Sequence, residues 1–447
     1  MDDSLIIGAG PAGISFAHAL YNIYKQDKFL LVDMGKPVEE RDHDLEKDIA
    51  CGEGGNGLFS DGKFSFFPAG TNIWKLRHDI LEKAYDELKQ TLEKYIDVPE
   101  MPKKEDITRH TLASNINLSE WSLKKYHTEY ISLKDRKQLI QNMTSNIPDK
   151  CLLFQHEVIN CSKVCDDNNY CDDDNYCDDN NYCDDNNNCN DYCYDVTFKS
   201  VCNGICTKKR FKRIILCGGR FFPIFMNRIF VEHPIPMVFK RYEFGVRIDT
   251  NASNNVVVGI GSMKNILDPK LRTVVDQNDT EFRTFCWCRN GEVVISDFKG
   301  IRTCSGRSDC DKTKRSNFGI LVRLSHDSGI PFEDILSIKN FSVSLYKALS
   351  TDIILEIFGT TVGTFIKESL TRIVNEFPQL QSDETRILGP SIEGVGMYPD
   401  IDGDLRVKNV DSDNHNIYCL GDNTGIFRGI VPCMLSGYYL AHLLHEQ

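Results

Sequence analysis

No apolar run in this chain reaches the roughly 20 residues that a membrane span requires. The nearest candidate, "GIVPCMLSGYYLAHLL" at residues 429–444, is shorter and carries polar side chains. No charged leader with a signal-type apolar core precedes Leu5, so the expectation is a soluble, cytoplasmic protein. A basic footprint is also missing. The net charge is −13, and eleven aspartates fall between residues 165 and 195, where there is no Lys or Arg; without them the chain is near −2. This balance speaks against nucleic acid as a partner. The 18 cysteines do not read as a disulfide framework, which belongs to small secreted domains. With 447 residues, 41% of them hydrophobic and 26% charged, the chain has the make-up of an ordinary globular protein of two or three lobes.

The most conspicuous stretch is "CDDNNYCDDDNYCDDNNYCDDNNNC", residues 165–189, where a cysteine returns every six residues. A zinc site needs ligands converging on one point, usually from close cysteine pairs, and this spacing supplies none. In a helix, six residues advance by about 600° and scatter the thiols around the axis. Asp and Asn are poor strand formers, and neighbouring aspartates raise thiol pKa values and suppress the reactive thiolate. The segment reads as a disordered low-complexity insertion over 162–195, with no metal site, seated in a loop that tolerates added length.

Along the rest of the chain, residues 4–8 form an apolar β-like run, followed by a glycine turn, a helix-spaced "ISFAHALYNIYK" and a second apolar run, "KFLLVDMG". Strand, turn, helix, strand predicts the start of a doubly wound, Rossmann-type α/β domain. Five segments follow: 1–70, first part of that domain; 71–150, a helical cap or lobe; 151–234, its second part, a three-stranded β-meander; 235–400, an inserted α+β substrate domain; and 401–447, the return to the first domain.

Gly8, Gly10 and Gly13 stand in GxGxxG spacing between strand and helix, with Pro11 and Ala12 inside the turn. Gly8 permits the tight turn, Gly10 admits a pyrophosphate, and Gly13 allows helix to pack on strand. The helix N-terminus supplies free N–H groups for phosphates. Asp33, at the end of the second strand, can accept bonds from ribose hydroxyls. NAD and FAD share this opening. The later "IYCLGDNTG" is similar to the Gly-Asp motif of two-dinucleotide-binding flavoproteins, which makes Asp422 the acid for the ribityl chain of FAD. In the same layout Gly429 and Ile430, in "RGIVP", open the last helix near the flavin, Gly218 ends a strand at the cofactor, and Val158 passes the adenine.

At "CGEGGNGLFSDGKF" the chain closely resembles the GEGGxGxFSDGK signature of a family of uncharacterised FAD-dependent dehydrogenases. The resemblance continues in "GKPVEER", "FGVRID", "TFCWCRNGEVV" and "RSN". It implies FAD held by Gly8, Gly10, Gly13, Asp33, Arg41, Gly54, Gly55 and Asp422, in a single FAD domain interrupted by a substrate domain. The family's late Gly-Glu-Gly-Ala-Gly run is here Gly421, Asp422, Asn423, Thr424 and Gly425, a shorter carboxylate on a different neighbouring surface.

A second dinucleotide site is missing: "VVVGIGSMKN" has Lys264 where a third glycine belongs. The substrate itself reduces the flavin, or NAD(P)H visits transiently. Candidate catalytic groups are Asp61 and Lys63, after the glycine-rich loop, and Cys286 and Cys288, which share one face if extended. Lys63 could stabilise reduced flavin or polarise a carbonyl. The cysteines could form a redox pair, although CxC closes a strained ring, and Cys51 reads as near the cofactor but inert. The sequence therefore points to an FAD-dependent oxidoreductase passing a hydride to or from a small organic molecule. A single-FAD-domain monooxygenase and a non-catalytic protein like the guanine nucleotide dissociation inhibitors are the alternatives.

Overall fold

The computed structural model describes residues 2–108, 120–124, 126–165, 192–253, 268–276, 279–309, 312–327, 329–408 and 416–446. It is a mixed α/β fold built on two large sheets.

The first sheet joins both ends of the chain. Its parallel part runs in the order Leu152–Leu153, Phe29–Val32, Asp2–Ile7, Cys206–Leu216 and Ile417–Cys419. Alternate side chains of these strands serve opposite faces. Ile6, Leu31 and Ile215 lie in one buried cluster, while Leu5, Leu30, Ile214 and Leu216 lie in another. Both faces are covered, which is why residues 5–7, 29–32 and 214–216 read as unbroken apolar runs rather than alternating ones. Helix Ile430–Glu446 is buried along most of its length and shares the first cluster with helices Pro11–His18, His78–Leu92 and Leu133–Thr144. Thr91 Oγ1 meets Tyr438 OH at 2.9 Å across it.

Strands His156–Cys165, Tyr192–Ser200 and Cys206–Leu216 pair antiparallel in sequence order. Cys165 is the register partner of Tyr192, so residues 166–191, which carry most of the cysteine repeat and lie outside the described residues, connect the two strands at a hairpin tip. The insertion expected over 162–195 is narrower than that: residues 162–165 and 192–195 belong to strands. The reason is a buried stripe, Cys161, Tyr194 and Val196, that continues the sheet into the biased segment.

The second sheet is antiparallel, in the order Phe341–Ser344, Arg386–Pro399, Met237–Asn251, Arg315–Leu324, Glu281–Cys288, Lys270–Val274 and Ser122–Lys124. One face packs on helix Thr360–Glu376 through Phe244, Ile320, Ile366 and Leu370. Ser122–Lys124, from the segment expected to be helical throughout, joins this sheet by pairing with Lys270–Val274. Helices Leu345–Ser350 and Ile353–Phe358 follow one another closely before Thr360–Glu376. The incomplete glycine pattern in "VVVGIGSMKN" lies outside the described residues. Among the described residues, no helix is long and apolar enough to cross a membrane.

Replacing residues 166–191 by Asn-Gly, a two-residue turn suited to a hairpin, is expected to leave the fold intact. Thermal unfolding should give a Tm unchanged or raised by a few degrees, because the shorter loop costs less entropy to close. A lowered Tm or loss of soluble protein would show that these residues support the fold.

Candidate functional site

A cavity of about 600 Å³ opens between the two sheets, within the range of ordinary ligand sites. Its floor is formed by three glycine-rich loops whose backbones touch one another. Gly8 turns with φ of +108°, and a Cβ there would lie 2.5 Å from the Cys217 carbonyl oxygen. A Cβ on Gly13 would lie 2.0 Å from the Gly8 carbonyl oxygen, so helix Pro11–His18 seats directly on the turn. Gly10 differs: its φ is −77°, and the nearest atom to a Cβ would be Gly55 Cα at 3.9 Å. A side chain there would enter the cavity.

The GEGG loop is bound to this turn at several points. Gly54 N–H donates to the Ala9 carbonyl at 2.8 Å. The Asp33 carboxylate accepts from Ala9 N–H through Oδ2, and from Gly35 and Gly52 N–H through Oδ1, each at 2.8 Å. Asp33 lines the cavity, yet much of its accepting capacity already ties its own turn to the Gly8 turn and to the GEGG loop. Arg41, buried, donates to the carbonyls of Asp48, Glu53 and Gly55. Arg136, also buried, donates to those of Leu58 and Ser60. Arg41, Gly13, Gly54 and Cys288 do not line the cavity, whereas the other expected site residues do: Gly8, Gly10, Pro11, Ala12, Gly55, Val158, Gly218, Asp422, Gly429, Ile430, Asp61, Lys63 and Cys286. Helices Pro11–His18 and Ile430–Glu446 both begin at its wall, and the first has no side-chain cap.

Lys63 is buried between two carboxylates, 2.7 Å from Asp61 and 2.9 Å from Asp268. Burial alone would lower its pKa, but Asp268 and then Asp61 outweigh it and hold the ammonium well above its ordinary value. Lys63 is thus a fixed cation rather than a proton-transfer group. Cys286, at φ of +50°, brings its sulfur 3.0 Å from Asp61 Oδ2 and 3.7 Å from Cys288 Sγ. The bond from Cys288 lowers the first ionisation of this pair, and the same bond together with burial holds Cys288 well above an ordinary thiol. Asp61, Cys286 and Cys288 have the spacing of metal ligands, but Lys63 and the buried Arg247, whose Nη2 lies 3.9 Å from Cys288 Sγ, already balance their charge. Burial and the nearby Asp33 push Cys51 up to about 12, which leaves it a protonated, inert thiol.

The opposite wall was not foreseen. On the second sheet, Tyr242, Phe244, Phe282 and Val322 face the core, while Arg241, Glu243, Arg283 and Arg323 line the cavity. Glu243, only 1% exposed, pairs with Arg241 at 3.1 Å, Arg428 at 2.8 Å and Arg283 at 3.2 Å. Burial would raise its carboxyl, but Arg428, Arg283 and Arg241 outweigh it and hold it well below the usual range. Glu393 ties Arg428 to Arg220 at 2.7 Å, and Arg220 approaches Asp422 at 3.7 Å. The available signal was alternation: "KRYEF" and "EFRTF" place charge and apolar residue in turn, the pattern of a strand with one face on a core.

No family model and no curated protein matches the chain. Solved structures similar to it include a triple mutant of the flavin-dependent brominase Bmp2, at 10% identity and TM-score 0.39 over 100% of this chain and 81% of that one. They also include the myxobacterial chondrochloren halogenase CndH, described as a new variant of FAD-dependent halogenases, at 10% identity and TM-score 0.37 over 99% of this chain and 72% of that one. A third is the substrate-free rebeccamycin biosynthetic enzyme RebC, at 9% identity and TM-score 0.36 over 99% of this chain. The chain spans only 55 to 63% of the RebC chains. At these TM-scores the functional reading rests on the site itself.

Glu243→Gln should cost about 3–5 kcal/mol at pH 7, because it leaves buried guanidinium groups without their counter-charge. Since the folded pKa of Glu243 is depressed, its stabilisation is fully present above about pH 4.3, the unfolded value, and is lost as pH falls towards the folded value. Denaturant unfolding of both proteins from pH 7 to 3 should show the difference shrinking only on this acid limb.

Proposed function

We propose that the first sheet is a Rossmann-type dinucleotide-binding domain, interrupted in sequence by a substrate domain built on the second sheet, and that the cavity between them takes FAD. The observation that carries this reading is Gly10: a backbone position of ordinary φ whose missing Cβ leaves room in the cavity, beside a helix N-terminus whose free N–H groups suit a pyrophosphate. Gly429 and Ile430 open a second helix at the same cavity, and its positive end suits negative charge on a flavin ring. Asp33 retains lone pairs for ribose hydroxyls beside the three amides that it holds, and Asp422 lines the cavity for the ribityl chain. Gly8, Gly13, Arg41 and Gly54 act by holding these loops in place.

We infer an FAD-dependent oxidoreductase, a dehydrogenase or reductase acting on a small organic molecule. FAD supplies a group that accepts and returns a hydride. The chain's residues bind and orient: Lys63, held charged by Asp61 and Asp268, offers a fixed positive charge at the cavity wall, and the arginines around Glu243 bound the space left for substrate.

Purified protein should be yellow, absorbing near ~450 nm as flavins do, and should release one FAD per chain on denaturation. Gly10→Val should remain folded and emerge colourless. A colourless wild-type protein that takes up no added FAD would end this reading. Anaerobic mixing with NADH, NADPH and organic donors, followed by oxygen, tests the chemistry: bleaching by NAD(P)H identifies a reductase or monooxygenase, and indifference to both leaves a substrate dehydrogenase.

A further inference from the structure

Strands that pair antiparallel normally set opposite charges, or a charge and a neutral group, across from each other, because like charges directly opposite are destabilising. The second sheet does the reverse twice in succession. Lys124 is the register partner of Lys270, and Arg272 is the register partner of Arg283. Residues 270 and 272 are two apart and share one face, so the four cations run as a staggered row across three neighbouring strands, Lys124, Lys270, Arg272 and Arg283 in turn, and all four line the cavity.

Counter-charge is scarce there. Glu281 serves both arginines, at 3.2 Å from Arg283 and 3.7 Å from Arg272. Arg283 also reaches Glu243, at 3.2 Å, but Arg241 and Arg428 already share that carboxylate. Lys270 comes no nearer than 3.9 Å to Asp268, which is already 2.9 Å from Lys63. Lys124 donates to Thr71 Oγ1 at 3.3 Å and makes no ion pair among the described residues. Arg323, beside them on the next strand, has a buried Nε without a hydrogen-bond partner among the described residues. The crowding is visible in the titration of the lysines. Burial, then Lys270, Arg283 and Arg272, lower Lys124 to about 8. Burial, against Asp268 and together with Lys63, Arg428 and Arg283, lowers Lys270 to about 8.

We propose that this row of cations is the substrate's anchor, and that the substrate of the oxidoreductase inferred above is a small molecule bearing two negative charges, carboxylate or phosphate. A dianion supplies the charge that the sheet face lacks, and guanidinium groups can donate two parallel N–H bonds to a pair of oxygens of a carboxylate or a phosphate. Concavity limits the ligand to a small molecule. The row of cations belongs to the second sheet, while the glycine loops proposed for the cofactor's phosphates belong to the first, so the two anion sites are separate parts of one cavity.

This inference rests on the FAD reading for its chemistry but not for its binding, and the experiment separates them. The protein as purified is assayed for flavin by absorbance, then titrated by calorimetry at low ionic strength with succinate, inorganic phosphate and uncharged succinamide. Succinate or phosphate should bind, succinamide should not, and the tighter of the two anions names the substrate's acidic group. Lys270→Gln and Arg272→Gln should each weaken that anion by about tenfold or more, with flavin content and Tm unchanged. Equal binding of succinamide, no binding of either anion, or variants that bind as wild type does would overturn the proposal, whatever the flavin content. Loss of flavin from the variants would also overturn it, by assigning these cations to the cofactor. Absence of flavin together with anion binding would instead sink the FAD reading alone.

Discussion

A single buried carboxylate, Glu243, draws together guanidinium groups from three separate stretches of the chain: Arg241 on its own strand, Arg283 two strands away, and Arg428 in the turn that precedes the last helix. Burying one acid is costly, and burying it among several cations is costlier for the cations if the acid is absent. The arrangement is self-consistent only when all partners are in place. It fixes the second sheet against the segment that carries Asp422, Gly429 and Ile430, and so sets the width of the cavity between the two sheets.

The other wall obeys a different constraint. There the close approach is of backbone to backbone, and the charge at its centre, Asp33, is consumed largely in receiving three amides. Arg41 and Arg136 hold the neighbouring loop through its carbonyls. Charged residues that a motif assigns to ligand contact thus act here to shape the cradle. Glycines have no side chains with which to hold a loop, Glu53 alone anchoring the GEGG stretch itself by accepting from Val38 N–H and Thr144 Oγ1, and buried carbonyls need donors; long guanidinium side chains with five donors meet that need from a distance.

Particular elements show how far sequence reasoning reached. The strand at Asp2–Ile7, the helix after Pro11, the strand at Phe29–Val32 and the final helix from Ile430 were legible because local periodicity and glycine spacing specify them within a few residues. The three meander strands were legible for the same reason, and the cysteine repeat, for all its prominence, connects two of them. The pairing of Ser122–Lys124 with Lys270–Val274 was not legible, since a three-residue strand has no periodicity to read. Nor was the polar wall: alternation of charge in "KRYEF" or "EFRTF" announces a two-faced strand but not what the charged face meets.

The sequence by itself determined the elements around the glycine triplet and the position of the late Gly-Asp turn. These follow from short-range geometry, in which spacing along the chain is spacing in space. Only the tertiary structure decided that Lys63 lies between Asp61 and Asp268, that Cys286 faces Asp61, that Arg41 serves carbonyls, and that two like-charged pairs sit side by side on a sheet face. Each of these depends on residues dozens to hundreds of positions apart meeting at one point, and strand order and register, which bring them there, are set by the packing of the whole core rather than by any local pattern.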